Sequence, residues 1–186
     1  NNVANGGNGG FTAPTQVFQT SDGWSVSAFT VKLSQGNFNT WNTTGNANQI
    51  LFGDWALDGG GTVNLSGIPY ATYDLYVYFT GFGGSPANVI IYTIGGNPQT
   101  LNNSMGSPNN FTAFVQGVNY VKFSGLTGSA QTMTVAGISG GAYGVAGFQI
   151  NDVGVNVTNA ITASVLGGGG SISPVGTALV PHGMDQ

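Results

Sequence analysis

The chain contains no cysteine, no arginine and no glutamate, and a single histidine, His182. Of its 186 residues, the charged ones are Lys32, Lys122, Asp22, Asp54, Asp58, Asp74, Asp152 and Asp185, 4% of the whole, against about 25% in an ordinary soluble domain. Two lysines cannot neutralise a phosphate backbone, which excludes nucleic acid as a partner. Without cysteine there is no disulfide framework, no thiol catalysis and no thiolate metal site. No apolar run approaches the ~18 residues that a membrane-spanning helix needs. Sustained 3.6-residue periodicity is missing, and the absence of Glu and scarcity of Lys remove two good helix formers. General acid–base chemistry has little to work with, and His182 sits in a C-terminal tail, so the chain is not expected to be an enzyme.

What is there points to strands. Gly is abundant at 33 residues, but 40% of the chain is hydrophobic and 11% aromatic, too much for a disordered low-complexity segment. Ile, Val, Phe and Tyr come in short runs separated by Gly, Asn, Pro and Ser, the pattern of an all-β antiparallel sandwich. Thr72–Thr80 alternates most clearly: Tyr73, Leu75, Val77 and Phe79 on one face, Asp74, Tyr76 and Tyr78 on the other. With both faces covered, it should be a central strand. Other expected strands are Trp24–Leu33 with a bulge, Gln49–Trp55, Thr62–Leu65, Asn88–Ile94, Phe111–Val115, Val118–Phe123, Gln131–Ile138 and Val145–Ile150. Asp58–Gly61 reads as a turn, because glycine supplies positive φ. The expected division is a Gly/Asn-rich N-terminal extension over 1–15, a sandwich over 16–152 and a strand-like extension and tail over 153–186. The chain begins at Asn1 rather than Met and is read as a processed, secreted chain, extracellular or on a cell surface.

The order GDWALDGGGTVNLSGIPYATYDLYVYF, then NYVKFSGLTGSAQTMTV, then GVAGFQI, within residues 24–152, resembles a sandwich repeat of large secreted bacterial surface proteins. The resemblance implies a jelly-roll-like fold, related in shape to galactose-binding and carbohydrate-binding modules. It implies no established activity.

Several residues are candidates for chemistry. Asp54 and Asp58, four apart before a glycine turn, are a weak Ca²⁺ candidate and a weaker carboxylate pair for glycoside hydrolysis; a turn with a capped strand end accounts for them more simply. Trp24, Trp41, Trp55, Tyr76, Tyr78 and Tyr143 offer rings for stacking sugars, with Asn39, Asn42 and Asp54 as polar neighbours. Trp41, in a polar loop, is the least core-like of the rings, and Trp41, Asn39, Asn42 and Tyr143 form the candidate sugar site. Five N-x-S/T sequons, at Asn42, Asn64, Asn102, Asn110 and Asn156, compare with about 3.5 expected by chance from this composition, so they carry no signal. A Lys–Asn crosslink beside Asp74 is conceivable for Lys32 or Lys122, but lysines on a solvent face that discourage edge pairing are far commoner.

The leading expectation is a structural subunit whose partner is itself: a sandwich that polymerises into an extracellular fibre, filament or coat. A nearly uncharged surface removes the repulsion that keeps proteins apart. Val153, Val155 and Val157 at period two, followed by Ile161 and Val165, suit a donated strand, with Phe11 as an N-terminal anchor. The plainer alternative makes that segment the last strand of its own sheet. A carbohydrate-binding module or adhesin domain is the rival reading, with glycans as partner.

Overall fold

Period-two alternation, punctuated by glycine turns, builds an antiparallel β-sandwich. The computed structural model describes residues 18–19, 25–26, 29–34, 38–40, 46–57, 59–80, 88–105, 107–139, 143–154, 158–163 and 176–181. In chain order the strands are β1 (Phe18–Gln19), β2 (Ser25–Val26), β3 (Thr30–Leu33), β4 (Phe38–Thr40), β5 (Asp54–Ala56), β6 (Gly61–Ser66), β7 (Thr72–Tyr78), β8 (Asn88–Ile94), β9 (Asn97–Asn103), β10 (Tyr120–Thr127), β11 (Ala130–Ser139), β12 (Gly147–Asp152), β13 (Thr158–Ala163) and β14 (Gly176–Pro181). One sheet has the order β10-β7-β12 and the other β3-β6-β11-β8-β9. Three two-stranded sheets, β1-β2, β4-β5 and β13-β14, complete the set among the described residues.

β7 is the middle strand of the smaller sheet, as its two covered faces predict. Its inward residues Tyr73, Leu75 and Val77, and Phe79 just past its end, are all fully buried. Val121 and Phe123 join them from β10. The larger sheet faces them with Val63, Leu65, Ile90, Tyr92, Met133 and Val135. Trp55 meets Phe79 edge to face, ring centroids 5.9 Å apart, and is core rather than sugar platform. The buried Tyr92 hydroxyl donates to the Gly144 carbonyl at 2.6 Å, tying the larger sheet to the approach to β12. Burial pushes that phenol's pKa well up.

The turns follow glycine chemistry. Gly59 and Gly60 have φ of 96° and 86°, and the Gly60 N–H donates to the Leu57 carbonyl, closing the predicted turn. Gly95-Gly96 joins β8 to β9 as a two-residue hairpin loop with both φ positive, 57° and 80°.

Three expected elements differ. The strand expected over Gln49–Trp55 is instead a short helix, α1 (Ala47–Leu51), followed by β5. Asn46 Oδ1 accepts from the Asn48 and Gln49 N–H groups, and Gln49 Oε1 accepts from the Asn46 N–H. That reciprocal capping box satisfies the helix's first donors. Phe111–Val115 is a loop, because the buried Asn119 side chain takes its backbone partners: Oδ1 accepts the Val115 N–H and Nδ2 donates to the Ala113 carbonyl. The phase shift expected as a bulge in Trp24–Leu33 falls where the chain changes partners, since β2 pairs with β1 and β3 with β6.

The chain divides into two compact units, Asn1–Asp152 and Val153–Gln186. In the second, β13 and β14 form an antiparallel hairpin from Thr158↔Pro181 to Ala163↔Gly176. Residues 155–157 and 164–166 of the segment expected as a donated strand lie outside the described residues.

Leu75 is 0% exposed on the central strand, whereas Ile138, extruded where β11 slips register between Gly137 and Ser139, is 63% exposed. Leu75→Ala should lower the unfolding free energy by about 2–5 kcal/mol. Ile138→Ala should change it by less than ~0.5 kcal/mol. Urea titration of both variants checks this, and equal losses would contradict the assignment of faces.

Candidate functional site

The outer face of the three-stranded sheet is a grid set by register. Tyr120, Tyr78 and Gly147 lie across one row, and Lys122, Tyr76 and Gln149 across the next. In the third row Asn151 opposes Asp74, while β10 slips register between Phe123 and Leu126. Period two leaves these residues no other face once Leu75 and Val77 turn inward.

The third row supplies the charge. Asp74 is only 6% exposed. The Lys122 ammonium sits 2.6 Å from its Oδ2, and the Gly125 N–H donates to its Oδ1 at 2.9 Å. Gly125 has φ 65°, so the irregularity turns its amide towards the carboxylate at a position that suits glycine. The hydrogen bond from Lys122 holds the Asp74 pKa below its ordinary value, against the opposing effect of burial. The same bond, with Tyr76 next, raises the Lys122 pKa. Lys122 also lies 5.3 Å from the Tyr76 ring centre, a cation–π contact.

The first two rows supply the rings. Tyr120 stands 5.9 Å from both Tyr76 and Tyr78, tilted by 43° and 44°. Tyr78 donates its hydroxyl to Gln149 Oε1 at 2.8 Å. Burial first, then the neighbouring Tyr76 and Tyr120, push its pKa up to about 12, so the phenol keeps its donor proton at any ordinary pH. The Asn119-braced loop folds Phe111 and Phe114 against this end of the sheet: Phe114 meets Tyr78 edge to face at 5.5 Å and Phe111 at 4.9 Å. Phe114 nevertheless remains 45% exposed. The result is an aromatic surface bordered by two amides and one internally neutralised ion pair.

The residues singled out from sequence fall elsewhere, apart from Tyr76 and Tyr78. Tyr143 packs over Gly60 and Gly137: a Cβ added at Gly137 would collide with its ring, and one added at Gly60 would strike the Val135 carbonyl and crowd the ring. It serves as a wedge on the larger sheet. Asn39 pairs with Trp55 across β4-β5. Asp54 opens β5, paired with Thr40. Trp24, Trp41, Asn42, Asp58, Phe11, Val155, Val157 and Val165 lie outside the described residues. Val153 is exposed just past β12, and Ile161 lies in β13. Among the described residues no cluster of three or more His, Cys, Asp or Glu exists, and no helix is long and apolar enough to cross a membrane. The crosslink chemistry is disfavoured at Lys122, because a paired ammonium with a raised pKa is not a nucleophilic amine. Lys32 is exposed on β3.

Tyr120, Lys122 and Gln149 were not singled out together because they come from strands remote in sequence. The readable signal was β7 itself, whose outward residues are as aromatic as its inward ones. Comparison of the chain with family models, with curated proteins and with solved structures returned no match.

The ion pair implies a pH response. Asp74, with its pKa lowered from 3.8, contributes stability that is complete above that value and lost as pH falls through the lowered pKa. Lys122, raised from 10.5, contributes stability that is complete below that value and lost as pH rises through the raised pKa. The melting temperature should therefore form a plateau between those two values, and Asp74→Asn should flatten the acid limb. An unchanged acid limb in that variant would contradict the pairing.

Proposed function

We propose that the chain is a carbohydrate-recognition module of a secreted surface protein, a jelly-roll-like scaffold presenting the outer face of its three-stranded sheet to neutral glycans. The observation that carries this reading is the Tyr76–Tyr120–Tyr78 ring array beside Gln149 and Asn151. Sugar C–H faces pack on aromatic rings, and sugar hydroxyls need amides and carboxylates within reach. Asp74 and Lys122 neutralise each other, so the face exerts no net pull on anions. A carboxylate held ionised by its partner is also unsuited to act as a general acid, which supports binding without catalysis.

A second reading, the structural subunit of an extracellular homopolymer, is favoured by a separate observation. Among the described residues the C-terminal strands β13 and β14 pair with each other, within a compact unit of their own.

Binding isotherms against a panel of neutral and anionic polysaccharides test the first reading. Neutral chains should bind, and Tyr76→Ala should weaken binding by about tenfold, ~1.4 kcal/mol, while the variant stays folded. Lys32→Ala, on the other sheet, should leave affinity unchanged. Failure of every neutral glycan to bind, or equal loss in both variants, would contradict it.

A further inference from the structure

Four strands end the two sandwich sheets: β3 and β9 on the larger, β10 and β12 on the smaller. An exposed edge carries unpaired N–H and C=O groups that invite another strand, and proteins blunt such edges with lysine, proline, bulges or a covering loop. Three of the four carry such devices. β3 has the exposed Lys32. β9 has Pro98, and the Asn102 N–H is already donated to Gly117. β10 has its register slip, and the Tyr120 carbonyl already accepts from the Gly117 N–H.

β12, Gly-Phe-Gln-Ile-Asn-Asp, has no lysine, no proline and no slip in its pairing with β7. Among the described residues no strand pairs with its other side. Its inward side chains are also unfinished: Phe148 and Ile150 pack on the core but are only partly buried. Gln149 and Asn151, on the other face, are exposed.

We infer that β12 is the contact through which two copies of this chain associate, strand against strand, about a two-fold axis through Gln149. The occupant is argued from self-complementarity. A two-fold perpendicular to the sheet keeps each face on its own side, so directly opposed residues must share a face. Centring the pairing on Gln149 sets Gln149 against its own copy, Gly147 against Asn151, and Phe148 against Ile150. Amide meets amide on the outer face, and the two half-covered apolar residues complete each other on the inner one. Centring it one residue later, on Ile150, would set Asp152 against Phe148, a carboxylate against an apolar side chain. The Gln149-centred register avoids this and keeps the two Asp152 carboxylates apart. Lys32 opposes strand addition at the β3 edge, while nothing charged lies between Gly147 and Asn151.

The merged sheet would run β10-β7-β12-β12-β7-β10. The two tyrosine faces would then share one surface, their β7 strands about 14 Å apart at the usual spacing of neighbouring strands. The inference does not depend on glycan binding. It supplies one closed contact, so a fibre would need a second contact elsewhere. A pairing of five residues from each copy buries less than a standard interface, so the dimer should form at high protein concentration.

The full chain is tested by sedimentation across a concentration series, with cysteine as the probe, since the chain has none of its own. The expected result is a shift from 18.8 kDa to twice that mass. Gln149→Cys should form a disulfide-linked dimer under mild oxidation at least about tenfold faster than Thr100→Cys on the β9 edge. Asn151→Lys, which blunts the edge, should sediment as monomer while retaining its melting temperature. A wild-type chain that stays monomeric, or a Gln149→Cys chain that crosslinks no faster than Thr100→Cys, overturns the inference. Fibres from a Gln149→Cys chain that stays uncrosslinked would overturn it too, while leaving the homopolymer reading standing.

Discussion

Everything described depends on β7 being covered on both faces. Inward, Tyr73, Leu75, Val77 and Phe79 are fully buried, and the sandwich closes on them. Outward, Asp74 is nearly buried, and Tyr76 and Tyr78 are partly covered by neighbouring rings. The strand has a neighbour on either side, and the Asn119-braced loop packs Phe114 against its end. The outer residues are aromatic and stacked on one another, or polar with partners supplied. Asp74 is the extreme case. In a chain with six acidic residues, this one is nearly buried, and it is tolerated because Lys122 and the Gly125 amide satisfy it.

The surface chemistry follows from scarcity of charge. Lys122 is consumed by Asp74, and Lys32 stands on the far sheet. What remains for recognition is shape, rings, amides and backbone. The tyrosine face offers the first three, and the β12 edge offers the last. Both lie on the same small sheet, because β12 supplies Gln149 to the face and is itself the end strand of that sheet among the described residues. A glycan surface and a self-association edge sharing one strand would make occupancy and assembly neighbours in space.

Much of the fold was legible locally. β7, β6, β8 and β11 read correctly from alternation, and Gly59–Gly61 from the need for positive φ. β9 was missed because Asn-Pro-Gln-Thr-Leu-Asn-Asn is polar and contains proline; the signal was the Gly95-Gly96 pair before it, which demands a hairpin. The helix after Asn46 was missed because hydrophobic spacing outweighed the capping pair Asn46 and Gln49. The site was half legible. Tyr76 and Tyr78 stood out, but Tyr120 and Gln149 join them through register between strands far apart in sequence, which no local pattern encodes. Tyr143 pointed the wrong way, because the glycines that accept its ring, Gly60 and Gly137, are also distant.

The central claim is that β7 is the strand on which both faces close. Native-state amide exchange measures this directly, residue by residue. The account predicts that the β7 amides from Tyr73 to Tyr78 exchange only through global unfolding, with an opening free energy equal to that from denaturant titration, while β12 amides at the end of the sheet exchange through smaller openings. Exchange of the β7 amides by local opening, at rates like those of β12, would contradict it.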